Sequence, residues 1–237
     1  MNLRKGIKLA GLALLFAALA TAGQVLYWND YSYAGNVIPG AIALAGDTGT
    51  AASDLGNFES LLGSGPWSAV IVGVQNYSAD SYGGLVSDLS AYVSGGGKLI
   101  GADWSSGDSD FYSLFQATPV GINNASIMND ASWLFAGISG DIYTTNPGYG
   151  TFDQSYSPLA GATGFGPSGG GYGIIVGNGG MTFLDGPLFD SYADVTQGQQ
   201  LVANELGYTS SIPEPATFAL LLGGLAGLAI ARRKLAR

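Results

Sequence analysis

The sequence contains no cysteine and no histidine. Without cysteine there is no disulfide framework and no thiolate chemistry. Without histidine neither a Cys-His-Glu nor a Ser-His-Asp triad can be assembled. Zinc, copper and iron lose their usual ligands. The one metal chemistry left open is oxygen ligation of calcium or magnesium. Basic residues are also scarce. Of the 8 Lys and Arg, Arg4, Lys5 and Lys8 lie at the start, and Arg232, Arg233, Lys234 and Arg237 at the end. The stretch 23–212 keeps only Lys98, against 16 of the 17 acids, a formal charge of about −15. Such a surface repels nucleic acid and anionic lipid.

Apolar residues are plentiful at 47%, so a packed core is available. The 39 Gly and 9 Pro are about a fifth of the chain, short of a disordered composition. The length of 237 residues suits one domain with targeting segments. We divide it at 1–22, 23–209 and 210–237.

Residues 1–22, "MNLRKGIKLAGLALLFAALATA", join a basic start to an apolar run. Ala20 and Ala22 flank Thr21 in a small-x-small cleavage pattern. This is the form of a secretory signal peptide, and implies export through Sec and signal peptidase. At the other end stands "SIPEPATFALLLGGLAGLAIARRKLAR". Residues 216–231 carry no charge, and 16 residues of helix reach about 24 Å, short of a bilayer core of about 30 Å. The span is a marginal anchor. The Arg232-Arg233-Lys234 cluster would stay cytoplasmic and leave the body outside. Pro213 and Pro215 hold the chain extended just before the span.

Pro213-Glu214-Pro215, the span and Arg232-Arg233-Lys234 together resemble the PEP-CTERM sorting signal of exopolysaccharide-producing Gram-negative bacteria. The resemblance implies processing by an exosortase, a membrane cysteine transpeptidase. The precursor would be anchored in the inner membrane, and the body then released to the periplasm, outer envelope or exterior. Exopolysaccharide is the expected surrounding.

In the body, "VLYWND" (25–30) reads as a strand, "NVIPGAIALAG" (36–46) as a short helix and "AASDLGNFESLLGSG" (51–65) as a longer one. "PWSAVIVGVQN" (66–76) is a continuous apolar run, as in a parallel strand buried on both faces. A helix capped by Ser81 leads to a strand at 99–102. A short helix follows at 110–116. Residues 171–186 form two strands around Asn178-Gly179, a favoured turn pair. A helix capped by Thr196 closes at Gly207. The Gly-rich stretch 140–172 reads as long loops.

Strand–helix alternation argues for an α/β fold with a mostly parallel sheet and flanking helices. An all-β sandwich is the rival. The order of these segments resembles the class I glutamine-amidotransferase-like domains of flavodoxin-like architecture. That resemblance puts the family's nucleophilic Cys near Asp103, in "KLIGADWSSG"; with no Cys and no His in the sequence, glutaminase activity is not expected. Neither "SGGGKL" nor "GPSGGGYG" has the context of a nucleotide-binding loop.

No cofactor is expected beyond the open question of calcium. Asp103, Asp108 and Asp110 follow a predicted strand, where ligands of open α/β sheets bind. They are the candidate site for calcium or sugar, set against a solvated loop in which Ser109 or Asp110 caps a helix. Tyr31, Tyr33, Tyr77, Tyr82, Tyr143, Tyr149, Tyr156 and Tyr172 fall mostly in Gly/Ser loops and are candidates for stacking on sugars or partners. A non-catalytic binding or structural body is the leading reading. A carboxylate-dependent, glycosidase-like hydrolase is the alternative, because that chemistry needs only two acids at a set separation.

Overall fold

A computed structural model describes residues 22–32, 35–122, 124–145 and 153–209. The first half alternates strand and helix: β1 (Gln24–Asn29), α1 (Ile38–Ala45), β2 (Thr48–Ala51), α2 (Leu55–Ser64), β3 (Ala69–Val74), α3 (Leu85–Ser94), β4 (Leu99–Asp103) and α4 (Ser109–Ser113). The second half is mainly strand: β5 (Ala117–Gly121), β6 (Ser126–Ile127), β7 (Ile142–Tyr143), β8 (Ser155–Pro158), β9 (Thr163–Ser168), β10 (Gly171–Gly177) and β11 (Thr182–Asp185). Helix α5 (Val195–Gly207) closes it.

Nine strands form one mixed sheet in the order β2-β1-β3-β4-β11-β10-β8-β5, with β9 also paired to β10. Strands β2, β1, β3, β4 and β11 are parallel. The pairs β10–β11, β10–β8, β10–β9 and β5–β8 are antiparallel. The short pair β6–β7 stands apart. All six residues of β3 are buried, as its unbroken apolar sequence requires of a central strand. Helices α1 and α5 cover one face through Ile38, Ile42, Leu201 and Val202. Helices α2, α3 and α4 cover the other through Phe58, Leu85, Leu89 and Phe111. The chain is thus a mixed α/β protein and not an all-β sandwich.

Several local expectations are corrected. Ala51 ends the edge strand β2 instead of joining a helix. Asp54 caps α2 by accepting from Asn57 N–H at 2.8 Å. Ser81 does not cap α3; it lies in a 3-10 turn, with its hydroxyl on the Ser78 carbonyl at 2.6 Å. Gly84, at φ 100°, precedes that helix. Neither Ser109 nor Asp110 caps α4. Asp80 does so from a distant loop, accepting from Asp110 N–H at 3.1 Å and Phe111 N–H at 2.9 Å. Asp194 caps α5 in place of Thr196, whose N–H it accepts at 2.9 Å. The stretch 140–172 holds β7, β8 and β9 where long loops are expected. The expected β10–β11 hairpin is present, with Asn178, Gly179 and Gly180 all at positive φ.

Candidate functional site at the carboxyl edge of the sheet

The parallel strands β1, β3, β4 and β11 end at one edge, at Asn29, Val74, Asp103 and Asp185. This is the edge where open α/β sheets bind ligands. Its loops cross-brace one another through carboxylates. Asp30 accepts from the N–H groups of Gln75 at 2.7 Å, Asn76 at 3.0 Å and Tyr77 at 3.3 Å, and from the Tyr82 hydroxyl at 2.9 Å. Asp108 accepts from the Ser78 hydroxyl and Ala79 N–H.

Asp103 ends β4 on the α4 side and is wholly buried. The Tyr112 hydroxyl lies 2.9 Å from its Oδ2, and also reaches the Ser105 carbonyl and Gln154 Oε1. Gln154 Nε2 donates to the Asp103 carbonyl at 2.8 Å. Burial first, then the neighbouring charge of Asp108, pushes the Asp103 carboxyl up to about 9. It is therefore protonated near neutral pH. The structure brings Asp103 and Asp108 together but leaves Asp110 exposed on α4. Among the described residues no group of three or more acids is placed to hold a metal ion.

A second acidic cluster, invisible in the sequence, lies across the sheet. Asp153, Asp185 and Glu205 are all wholly buried, and Tyr192 nearly so. Asp153 Oδ2 accepts from the Ser168 hydroxyl. Asp153 Oδ1, both oxygens of Asp185 and of Glu205, and the Tyr192 hydroxyl have no hydrogen-bond partner among the described residues. Burial pushes Asp153 up to about 8. It also raises Asp185, and it raises Glu205 strongly, with the charge of Asp185 adding to the effect.

Lys98, the one cation of the body, serves structure at the opposite edge. Its Nζ donates to the carbonyls of Glu205 at 3.0 Å, Leu206 at 2.7 Å and Tyr208 at 2.6 Å, closing the carboxyl end of α5. Nearby, a cavity of about 230 Å³ opens between the β10–β11 turn, Trp133, Phe165 and Tyr208.

The aromatic candidates separate clearly. Tyr156 is core, at 0% exposure, and Tyr82 is half-buried. Tyr31, Tyr77, Tyr143 and Tyr172 are exposed. Tyr33 and Tyr149 lie outside the described residues. Tyr31 and Tyr77 sit at the carboxyl edge with Trp104, a residue the sequence reading passed over. Trp104 follows β4 directly in "KLIGADW", and a Trp at a strand end was the available signal.

No curated protein matches the sequence. The fold is similar to solved structures at low identity. One is titled "Crystal structure of SMU.1228c", with TM-score 0.51, 10% identity, 77% of this chain and 97% of that one covered. Another is a glutamine amido transferase from Methylobacillus flagellatus, with TM-score 0.50, 9% identity, 81% of this chain and 97% of that one covered. These show the fold alone. The expected signal peptide, with Ala20 and Ala22, the expected span 216–231 and the sorting residues Pro213, Glu214, Pro215, Arg232, Arg233 and Lys234 lie outside the described residues. No helix among the described residues is long and apolar enough to cross a membrane. Residues 211–234 match the family described as the PEP-CTERM protein-sorting motif, which marks an exported chain that is membrane-anchored until an exosortase processes it.

Proposed function

We propose that this chain is an exosortase-sorted protein of the envelope or extracellular matrix, with a flavodoxin-like body that binds or builds and does not catalyse. The sorting motif at 211–234 carries the reading. The signal-peptide pattern at 1–22 agrees with it, since both ends then serve export. Exopolysaccharide is the proposed surrounding.

The absence of catalysis is supported by the inventory at the carboxyl edge. By the resemblance to amidotransferase-like domains, Asp103 falls near their nucleophile's place, and it is buried and held by Tyr112. No thiol or imidazole exists to replace it. The glycosidase-like alternative needs two carboxyls that meet substrate. Asp103 and Asp108 are 0% and 1% exposed, which speaks against that pair.

Replacing Pro213, Glu214 and Pro215 with alanine tests the sorting reading. The expected result is retention of the chain in the inner-membrane fraction. Release of the triple variant to the same extent as wild type would refute it.

A further inference from the structure

The loop 75–81, between β3 and α3, is tied down with unusual density. Its first three N–H groups are held by Asp30. Its centre is held by Asp108, through Ser78 and Ala79. Asp80 from the same loop caps α4. Yet the side chain this loop presents, Tyr77, is 59% exposed. Behind it the Tyr82 ring packs edge-on at 5.9 Å, and Tyr82 in turn packs edge-on against Trp28 at 5.4 Å.

Trp104 is fixed to the same loop. Its backbone N–H reaches the Val74 carbonyl at 3.1 Å, and its indole Nε1 donates to the Tyr77 carbonyl at 2.9 Å. The indole is nonetheless 42% exposed. Single exposed aromatics are ordinary. Two exposed rings on adjoining loops whose backbones are pinned by Asp30, Asp108 and the Trp104 indole are a different matter, because little backbone ordering entropy remains to be lost when something stacks on them.

The surroundings select the ligand. Asp80 and Asp110 are both exposed; Asp80 lies on the same loop as Tyr77, and the Asp110 N–H donates to the Asp80 carboxylate at 3.1 Å. The only cation of the body, Lys98, is at the opposite edge with its ammonium on three carbonyls. An anionic ligand would meet carboxylates and no counter-charge. A sugar ring has an apolar C–H face for Tyr and Trp, and hydroxyls that carboxylates accept.

We infer that the carboxyl-edge surface formed by Tyr77 and Trp104, with Asp80 and Asp110 beside it, is a binding platform for an uncharged glycan. The inference rests on the reading of the body as a binding module and names its ligand class. It does not depend on how the tail is processed.

The test is affinity electrophoresis of the full chain in neutral detergent, in gels containing hydroxyethyl cellulose, dextran, galactomannan or alginate. At least one of the three neutral polymers should retard the wild type, and alginate should not. Trp104→Ala and Tyr77→Ala should each weaken that retardation about fivefold or more. Trp104→Phe should keep most of it. Tyr143→Ala should match wild type, since this ring is equally exposed but lies on β7. Thermal melting of each variant checks the fold. If Trp104→Ala melts early, Tyr77→Ala and Trp104→Phe still decide the matter.

The inference is overturned if no neutral polymer retards the wild type, if only alginate does, or if the alanine variants bind as well as wild type. It is also overturned if Trp104→Ala removes a bound protein while the neutral polymers bind nothing, which would make the surface a protein interface. Failure of binding with normal processing of the tail would refute this inference alone. Failure of processing with normal binding would refute the sorting reading alone.

Discussion

Raising the pH from about 5 to about 9 should destabilise the body, because acids buried on both faces of the sheet hold protons that the unfolded chain releases. Asp153 is pushed up to about 8 and Asp103 to about 9, from 3.8 for a free aspartate. Between the unfolded and folded values the native state binds more protons, so stability is lost as pH rises through that window. Each pH unit over which one proton is held differently is worth about 1.4 kcal/mol. On that basis Asp153 alone removes about 4 kcal/mol of stability between about pH 5 and about pH 8, and Asp103 about 5 kcal/mol between about pH 5 and about pH 9. A domain is stable by only about 5–15 kcal/mol in total, so even half of this effect is large. Asp185 and Glu205 act in the same direction. Lys98 opposes them only above about 8, the value to which burial lowers it, since the native state then releases its proton first. The assay is thermal unfolding followed by circular dichroism at constant ionic strength from about pH 5 to about pH 9. The melting temperature should fall steadily, and Asp153→Asn should flatten the fall below about pH 8. A melting temperature that is level or rising across this range, or an unchanged slope in Asp153→Asn, would refute the reasoning.

Three further outcomes follow from the same contacts. Lys98→Met should lower stability by about 2–3 kcal/mol in urea unfolding, because the last carbonyls of α5 lose a charged donor. Asp30→Ala should leave the N–H groups of Gln75, Asn76 and Tyr77 without their acceptor. It should cost about 2–4 kcal/mol and speed amide exchange in loop 75–81 ahead of the core. Gly186→Ala should abolish soluble expression or lower the melting temperature sharply. Its new Cβ would stand 2.0 Å from the Gln154 carbonyl and 2.1 Å from Asp153 Oδ1; normal melting would show that the β11 end is looser than described.

The parallel half of the fold was legible because its signals are local. The apolar run of β3, Pro39 in the first turn of α1, the left-handed Gly46 after it and the Asn178-Gly179 turn each act within a few residues. The antiparallel half was not. Strands β9 and β10 use glycine where chains approach closely: a Cβ on Gly171 would stand 2.6 Å from the Tyr156 carbonyl, and one on Gly164 2.3 Å from the Tyr172 ring. Those glycines erase the apolar alternation by which strands are recognised. The Asp80 cap on α4 was hidden because its partners are some thirty residues away. The candidate site was half legible. The position of Asp103 and Asp108 after a strand marks them in the sequence, but that position fits a solvated loop equally, whereas both are buried. Asp153, Asp185 and Glu205 are separated widely in sequence, and only the sheet brings them together. Tyr156 read as a surface ring for the same reason, since its Ser-rich neighbours say nothing of the sheet it packs into.

The most direct test of the account is the intact mass of the native protein, from wild-type cells and from cells lacking the exosortase. The account predicts a released wild-type product without residues 216–237, cut near Pro213-Glu214-Pro215. In the mutant cells the tail should be retained and the chain found in the membrane fraction. A wild-type product that keeps residues 216–237, or identical masses from the two strains, would contradict it.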